Sequence, residues 1–293
     1  MDTPYGANSA QVEHWNGMTG RAWVDVQPVL DQMFAPLEDL LLETPAVAAG
    51  HRVLDVGCGT GSTTLAVARK VGEHGRCVGM DVSEPMIAAA QARADRAGLP
   101  AAFICADAQA YGFEPAGFDV IVSRLGVMFF DNPVRAFENL RHAAREKAAL
   151  SFIAWRGPEE NPFLTTPERA SAPLLPDIPA RRVGAPGPLA FAEEAVGRRV
   201  LQQSGWAEIE IRPVDLACSF LEKDLIHYFT RIGPLGQILQ ETDERTRAQV
   251  IETVRTAFDP YVKGAEVRFT AACWMAGARA PSRSTMPKGK GDA

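Results

Sequence analysis

The sequence feature that most constrains the fold is a short apolar run that leads into alternating glycines. Residues 53–61 read Val-Leu-Asp-Val-Gly-Cys-Gly-Thr-Gly, and this pattern predicts a buried strand over residues 52–56, a glycine turn and a helix over residues 62–71. Glycine has no Cβ, so the backbone can turn sharply there and approach a ligand closely. The N–H groups that begin the following helix favour polar or anionic ligand groups. The stretch therefore predicts a ligand-binding loop in an α/β fold.

The spacing of these glycines narrows the class of ligand. A dinucleotide-binding loop reads G-x-G-x-x-G and would require a glycine at position 62, where this chain has Ser62. Its glycines follow the spacing G-x-G-x-G, at Gly57, Gly59 and Gly61, and an acidic residue, Asp55, precedes them. The pattern argues against a nucleotide-dependent oxidoreductase, which stays an alternative at this point.

The length and the composition are those of an ordinary globular protein. The 293 residues are 46% hydrophobic and 23% charged, which is enough for one large domain or one domain with a cap. A net charge of −6 provides no basic surface for a nucleic acid. No apolar run approaches the roughly 18 residues that a membrane span needs, and the start of the chain lacks a signal peptide pattern. We expect a cytoplasmic protein, monomeric or homodimeric, that neither inserts into membranes nor binds nucleic acid.

The cysteines indicate neither disulfides nor a metal site. There are five, an odd number, widely spaced and without a C-x-x-C pair: Cys58, Cys77, Cys105, Cys218 and Cys273. Such a distribution fits a reducing cytoplasm, and we predict no bound metal. Cys58 lies inside the glycine loop, where a small side chain is required.

Strands and helices alternate with short links after the glycine loop, which is typical of a parallel sheet covered by helices on both faces. Further strands are predicted over residues 75–80, 101–106, 117–123, 149–155, 208–214 and 266–275, and helices over residues 83–98, 132–146 and 190–204.

The remaining segments have weaker patterns. Residues 1–20 are polar with turns, and a helix is predicted over residues 22–43, which Pro28 and Pro36 could divide into two. Residues 157–188 are proline-rich and predicted to be irregular, and residues 222–258 should be helical in two pieces divided at Gly233 and Pro234.

Aspartates end three successive predicted strands. Asp55, Asp81 and Asp107 are each 26 residues apart, and the carboxyl ends of parallel strands meet at the edge where open α/β folds bind ligands. Asp81 follows Gly61 by 20 residues, about the spacing at which an acidic side chain meets a ribose hydroxyl pair. A single such aspartate could cap a helix, but three in register favour a ligand site.

The run from Val53 to Trp155 resembles, in motif order and spacing, the cofactor half of the class I S-adenosylmethionine-dependent methyltransferases. It is most similar to the small-molecule branch related to the ubiquinone/menaquinone-type (type 11) enzymes. The resemblance implies an α/β, doubly wound, Rossmann-like sheet of seven mostly parallel strands with an antiparallel last strand, plus helical cap insertions. It also implies a division of the chain into a helical lid over residues 1–45 and a cofactor-binding core over residues 46–156. The segment over residues 157–279 would complete the sheet and hold a substrate cap at residues 222–258. Residues 280–293 would form a disordered tail.

The same resemblance assigns cofactor contacts residue by residue. Around the methionine end of S-adenosylmethionine it assigns Asp55, Gly57, Cys58, Gly59 and Gly61. For the ribose and the adenine it assigns Asp81, Val82, Met86, Asp107 and Ala108, and for the methionyl amine and the floor below the methyl group it assigns Ser123 and Arg124.

The segment around residues 13–23 resembles the lid that some members fold over the cofactor. Arg21 could pair with the methionyl carboxylate and Trp23 could cover the methionyl chain. The alternative is a tryptophan that packs a helix onto the domain beside a solvated arginine.

Methyl transfer from a sulfonium requires alignment more than proton transfer, so the catalytic residues stay unknown. His14 and His227 are weak base candidates, and each could equally be a plain surface histidine. An apolar acceptor pocket is predicted from Gly126, Met128, Phe129, Phe163, Phe229 and Ile232, although Phe130 and Phe163 could simply fill the core. We expect methyl transfer to a small hydrophobic or aromatic acceptor, at oxygen first and at nitrogen or carbon as alternatives. A protein of this fold that binds the cofactor without methyl transfer, or uses it for other chemistry, is a further alternative.

Overall fold

The computed structural model describes residues 8–44, 46–179 and 181–282, and its centre is one mixed β-sheet. The strands in this part of the chain are β1 Arg52–Val56, β2 Arg76–Asp81, β3 Ala101–Cys105, β4 Phe118–Arg124, β5 Ala144–Trp155, β6 Ala207–Leu221, β7 Val262–Lys263 and β8 Glu266–Arg279. The α-helices are α1 Ser9–Asn16, α2 Met18–Asp25, α3 Gln27–Glu43, α4 Ser62–Val71, α5 Glu84–Ala97, α6 Pro133–Ala143, α7 Pro162–Ser171, α8 Glu194–Gln203, α9 Leu225–Phe229, α10 Gly233–Ile238 and α11 Glu244–Ala257.

The strand order confirms the predicted fold class. Seven strands lie side by side in the order β3-β2-β1-β4-β5-β8-β6, and the two-residue strand β7 pairs with β8 outside this path. Strands β1 to β5 pair in parallel, whereas β8 runs antiparallel to both β5 and β6. The sheet is therefore doubly wound and mostly parallel, with the last strand of the chain antiparallel.

The sheet is covered on both faces, as the apolar strands require. Successive side chains of a strand point to opposite faces, and Val53 and Leu54, both fully buried, belong to different apolar clusters. The larger cluster joins the face of Leu54 to helix α3, whose Met33 and Leu37 are also fully buried. The face of Val53 packs against helix α4. This packing fixes the sheet edge at which the parallel strands end.

The first described residues are more helical than their polar pattern predicts. Residues 9–16, predicted to be polar with turns, form α1, and residues 18–20 begin α2, so that prediction was wrong. Trp15 is the buried residue of α1, and a single anchor produces no apolar stripe in the sequence. The predicted helix over residues 22–43 divides at Val26, and α3 continues through Pro36.

A second helix forms in the stretch whose prolines predicted irregular structure. The stretch over residues 157–188, predicted to be irregular, contains α7, which begins with Pro162 and includes Pro167. Proline fits the first turn of a helix, where its missing N–H is not needed. Residues 222–258 form three α-helices instead of two, because the chain breaks again before Asp243, whose side chain caps α11.

Three strands extend beyond their predicted ends, and helices α6 and α8 are shorter than predicted. Strand β5 begins at residue 144, β6 continues to residue 221 and β8 to residue 279. Helix α6 ends at residue 143, and α8 covers only residues 194–203. The predicted disordered tail begins too early, since Ala280 is buried and its N–H donates to the carbonyl of Ala148. Residues 283–293 of that tail lie outside the described residues. Within the described ranges, no helix combines the length and the apolar character needed to cross a bilayer.

Candidate cofactor and acceptor site

The carboxyl ends of the parallel strands converge on one cavity of about 780 Å³, its open mouth included. Its lining comes from the N-terminal helices, from the ends of β1 to β4 and from the loops that follow them. The lining residues are Asn8, Gln11, Trp15, Trp23, Phe34, Val56, Gly57, Gly59, Met80, Asp81, Val82, Met86, Ala106, Asp107, Ala108, Arg124, Leu125, Gly126, Phe129 and Phe130.

The glycine loop lets two backbone segments pass unusually close together. Gly57 has a φ of +67°, and a Cβ on it would lie 2.6 Å from the Cα of Gly126. Gly59 also has a positive φ, of +53°, and a Cβ on it would contact the Sδ of Met86 at 3.8 Å. Gly61 does not line the cavity: a Cβ there would lie 2.9 Å from the Cβ of Ala90, so this glycine lets helix α5 pack closely.

Asp81 ties the glycine loop to the start of helix α5. Its carboxylate accepts hydrogen bonds from the N–H of Gly59 at 2.9 Å and from the N–H of Ser83 at 3.0 Å. Burial raises the pKa of Asp81, while these backbone donors lower it. The carboxylate lies in the cavity wall beside Val82, where the sequence predicts the ribose contact.

Asp107 presents a free oxygen at the far end of the cavity. Its Oδ1 accepts from the N–H of Gln109 at 2.9 Å and from the side-chain amide of Asn8 at 3.4 Å. Its Oδ2 is buried and has no hydrogen-bond partner within the described structure. Because buried polar oxygens are nearly always paired in proteins, this atom indicates a ligand donor. Ala108 lines the same end.

Three predicted cofactor residues lie beneath the cavity and support it. Asp55 is buried, accepts a 2.6 Å hydrogen bond from the Thr64 hydroxyl, and has its pKa raised by burial to about 7. Ser123 Oγ donates to the Val56 carbonyl at 2.7 Å and accepts from the N–H groups that follow it, which fixes the turn after β4. Burial raises the pKa of the Cys58 thiol, so this residue is a small buried group and not a thiolate.

Arg124 supplies the positive charge among the described residues that line the cavity. Its guanidinium carbon lies 5.8 Å from the centre of the Phe34 ring, and its Nη1 donates to the Phe34 carbonyl at 3.3 Å. Arg21 is exposed and outside the cavity lining. The two arginines are therefore unequal: only Arg124 has its head group where a carboxylate in the cavity could reach it.

Aromatic side chains form the wall of the cavity beside Arg124. The Trp15 ring meets Trp23 edge to face at 5.6 Å and Phe129 at 5.1 Å. Phe34 and Phe130 complete this group. Trp23 thus both lines the cavity and packs α2 against its neighbour, so the two interpretations of this residue do not exclude each other.

The weak base candidates lie away from the cavity. His14 is exposed on the outer side of Trp15, with its ring 5.4 Å from the indole. His227 is 3.8 Å from the Oδ2 of Asp25, which also pairs with Arg231 at 3.1 Å. Neither histidine lines the cavity, whose described titratable groups are Asp81, Asp107 and Arg124.

Most residues of the predicted acceptor pocket belong to the core. Of that group, Gly126 and Phe129 line the cavity. Met128 and Phe229 are buried elsewhere, and Phe163 stacks on Phe269 with a centroid distance of 3.8 Å. The sequence did not assign several lining residues to the site, namely Asn8, Gln11, Trp15, Phe34, Val56, Met80 and Ala106. Only a helical assignment of residues 9–16 could have drawn attention to the first two.

The residues present fit S-adenosylmethionine. At one end an unpaired buried acceptor, Asp107 Oδ2, suits an adenine amino group. In the middle Gly57 and Gly59 line the cavity, and Asp81 lies beside them for the ribose. At the other end the aromatic wall suits the apolar methionyl chain. Asp81, Asp107 and the glycine loop would hold the cofactor, and the guanidinium of Arg124 is then available to an anionic group in the same cavity.

Comparison with known proteins matches one part of the chain to a family. A family profile described as "Methyltransferase domain" matches residues 53–147.

An uncharacterized protein of Mycobacterium tuberculosis is 31% identical over 166 residues, 55% of this chain and 56% of that protein. Aklanonic acid methyltransferase DauC of a Streptomyces strain is 33% identical over 106 residues, 36% of this chain and 48% of that protein. Nocamycin O-methyltransferase of Saccharothrix syringae is 33% identical over 100 residues, 34% of this chain and 36% of that protein. The chain thus spans about half, or less, of the length of these relatives.

Solved structures share the fold at low sequence identity. The YcgJ protein of Bacillus subtilis is 17% identical with a TM-score of 0.55, over 84% of this chain and 98% of that one. The [4+2]-cyclase SpnF is 20% identical with a TM-score of 0.54, over 89% of this chain and 94% of that one. Residues 53–147 thus match the methyltransferase domain family, and this stretch contains the glycine loop, all but the first residue of β1, and strands β2 to β4.

Proposed function

We propose that this protein transfers the methyl group of S-adenosylmethionine to an oxygen of a small aromatic or hydrophobic acceptor that is anionic at neutral pH. The observation that carries the proposal is a single cavity with an adenine-like end at Asp107 and an aromatic, cationic end at Arg124. The donor would lie along the glycine loop and the acceptor on the aromatic wall of the same cavity.

The aromatic wall supports an apolar acceptor. Trp15, Trp23 and Phe129 meet edge to face, with Phe34 and Phe130 beside them, which offers flat apolar surface to a ring system. Aromatic surfaces stabilise partner rings in offset or edge-to-face contact. The acceptor would lie on this surface, close to the turn at Gly126.

The described lining residues at the aromatic end of the cavity include no carboxylate or imidazole that could act as a base, which favours an acceptor that is already ionised. A neutral hydroxyl must lose its proton during methyl transfer, and a positioned side chain normally accepts it. Asp81 is held by backbone N–H groups on the ribose side, and both histidine candidates lie outside the cavity. A carboxylate or an acidic enol needs no such residue.

Arg124 supports the same conclusion through charge. A bound S-adenosylmethionine supplies an activated methyl on a cationic sulfonium, so the chemistry needs alignment and exclusion of water. The guanidinium of Arg124, braced by the Phe34 carbonyl and ring, would attract an anionic group to this end and hold it in place. Trp15 and Trp23 would cover the mouth and exclude water.

Two relatives agree with this substrate class. One is named as an aklanonic acid methyltransferase and one as a nocamycin O-methyltransferase, and they match 106 and 100 residues of this chain. These names describe those proteins, and they make small-molecule O-methylation the first reaction to test here. The five cysteines form no disulfides, in keeping with the cytoplasmic location that we propose.

The test is acceptor-dependent turnover. Purified protein would be incubated with methyl-labelled S-adenosylmethionine and a panel of matched acceptors: aromatic carboxylic acids, acidic enols, and the corresponding amides and neutral phenols. We expect S-adenosylhomocysteine release and a mass increase of one methyl group for the anionic acceptors, and little for their neutral counterparts. Arg124→Gln should reduce turnover of the anionic acceptors at least tenfold.

Two results would contradict the proposal. Faster turnover of amides or neutral phenols than of the acids would overturn the anionic acceptor and favour a base that lies outside the cavity lining. Tight binding of S-adenosylhomocysteine with no methyl transfer to any class would favour a cofactor-binding protein that does other chemistry.

A further inference from the structure

The adenine-like end of the cavity has two unpaired hydrogen-bond acceptors, not one. Besides Asp107 Oδ2, the side-chain oxygen Oε1 of Gln11 is buried and has no partner in the described structure. Both residues line the cavity. Two buried acceptors without donors in one cavity cost free energy of desolvation unless a ligand supplies two hydrogen-bond donors.

The helix that carries Gln11 is held in place against Asp107. Asn8 precedes helix α1, and its side-chain amide donates to Asp107 Oδ1 at 3.4 Å, while its own Oδ1 accepts from the N–H of Asp131 at 3.2 Å. Gln11 follows three residues later, with its N–H bonded to the Asn8 carbonyl at 3.1 Å. Gln11 lies in the first turn of α1, and both Asn8 and Gln11 line the cavity. The contact of Asn8 with Asp107 therefore holds this first turn at the same end of the cavity.

An exocyclic amine carries two N–H donors, and this end of the cavity offers two acceptors. We propose that Gln11 is a second acceptor for the amino group of the adenine ring, opposite Asp107, so that helix α1 takes part in recognising the cofactor base. This inference rests on the cofactor assignment made above. It goes beyond that assignment by giving an N-terminal helix a role in base selection.

The chemistry of the two acceptors makes the recognition selective. A purine with a carbonyl oxygen at position 6 would place its own hydrogen-bond acceptor opposite the two acceptors of the protein, Gln11 Oε1 and Asp107 Oδ2. A purine with only hydrogen at that position would leave both acceptors buried without a partner. A site built to bond a polar group rejects an analogue that lacks it more strongly than an apolar site would.

Gln109 is a less suitable candidate for the same role. Its Nε2 is also buried without a partner, but its Oε1 accepts from the N–H of Asn132 at 2.8 Å, at the start of α6. Gln109 is not among the residues that line the cavity. Its amide therefore braces the neighbouring loop, and base recognition is assigned to Gln11.

The test compares two ligands on three proteins by titration calorimetry. The ligands are S-adenosylhomocysteine and its analogue with hydrogen in place of the 6-amino group. The proteins are wild type, Gln11→Met and the control Glu13→Met. Methionine is about as long as glutamine and keeps the packing while removing the acceptor, and Glu13 is exposed on the same helix.

We expect wild type and Glu13→Met to bind S-adenosylhomocysteine with equal affinity and to discriminate equally against the analogue. Gln11→Met should bind S-adenosylhomocysteine about fivefold more weakly, the effect typical of one hydrogen bond. Its preference over the analogue should fall by a similar factor, because only the amino group uses the lost acceptor.

Three outcomes distinguish the possible failures. An unchanged preference in Gln11→Met, with S-adenosylhomocysteine still bound, would overturn the role of Gln11 alone. Equal weakening of both ligands would assign Gln11 a packing role without base recognition. No binding of S-adenosylhomocysteine to wild type would overturn the cofactor assignment itself, and the inference with it.

Discussion

The hydroxyl of Ser83 donates a 2.7 Å hydrogen bond to the main-chain carbonyl of Trp15, which joins the loop after β2 to the N-terminal helices. Asn16 strengthens the junction, because its amide donates to the Val82 carbonyl at 2.8 Å and accepts from the N–H of Glu84 at 2.9 Å. Trp15 lines the cavity, and Asp81 lies two residues before Ser83. The same loop therefore carries the predicted ribose contact and the attachment point of the helices above it.

Loss of this hydrogen bond should weaken cofactor binding. In Ser83→Ala, Trp15 is no longer anchored beside Asp81, so the N-terminal helices should cover the cavity less tightly. We expect the dissociation constant for S-adenosylhomocysteine to rise about fivefold, the effect of a lost hydrogen bond worth about 1 kcal/mol. Calorimetric titration measures the change.

Ser171→Ala is the matched control. Ser171 is also a buried serine, and its hydroxyl donates to the Pro167 carbonyl at 2.7 Å within helix α7, away from the cavity lining. It should lower the melting temperature without changing cofactor affinity. If both variants bound equally well, the Ser83 contact would be structural only.

The close approach of Gly57 to Gly126 should make the glycine loop intolerant of a methyl group. Gly57→Ala would force a Cβ to within 2.6 Å of the Gly126 Cα, which displaces one of the two backbones. We expect binding of S-adenosylhomocysteine to fall at least tenfold, because this contact sets the shape of the cradle.

Gly98→Ala separates this effect from backbone strain. Gly98 has a φ of +62°, close to that of Gly57, but nothing lies within 4 Å of its Cβ position. A left-handed alanine costs about 1–2 kcal/mol of stability, so both variants should melt earlier than wild type. Equal affinities in the two variants would show that the Gly57–Gly126 contact does not shape the site.

The buried carboxyl of Asp55 should make stability depend on pH. Burial raises its pKa from 3.8 in the unfolded chain to about 7 in the folded protein. Between these values the folded protein keeps a proton that the unfolded chain has released. The contribution is thus complete below pH 3.8 and is lost as the pH rises through 7, at about 1.4 kcal/mol of unfolding free energy per pH unit.

Asp55→Asn isolates this contribution. Its amide oxygen can still accept the hydrogen bond from Thr64, but it does not titrate. Urea unfolding at several pH values between 4 and 8 should show wild type losing stability relative to the variant as the pH rises. Other buried carboxyls, such as Asp81 and Asp107, are present in both proteins and cancel in the difference. Parallel pH profiles would mean that Asp55 is ionised in the folded protein.

Local sequence patterns predicted the structure correctly where the backbone geometry of a position admits only one type of residue. The glycines of the loop, the apolar strand before it and the aspartates at the strand ends predicted the sheet edge that forms the cavity. The strand order and the antiparallel last strand came from the family resemblance. Patterns failed where a helix has no apolar stripe, as in α1 with its single buried Trp15, or where proline suggested a break, as in α7.

By itself the sequence determined the fold class and the position of the cofactor loop, because glycine spacing and strand periodicity are local properties of the chain. Only the tertiary structure decided which side chains meet in the cavity. It directed Gln11 and Trp15 inward, left Arg21 in solvent, and packed Phe163 against Phe269 in the core. The orientation of these side chains depends on how helices far apart in sequence pack against one sheet edge. A pattern of neighbouring residues does not specify that packing.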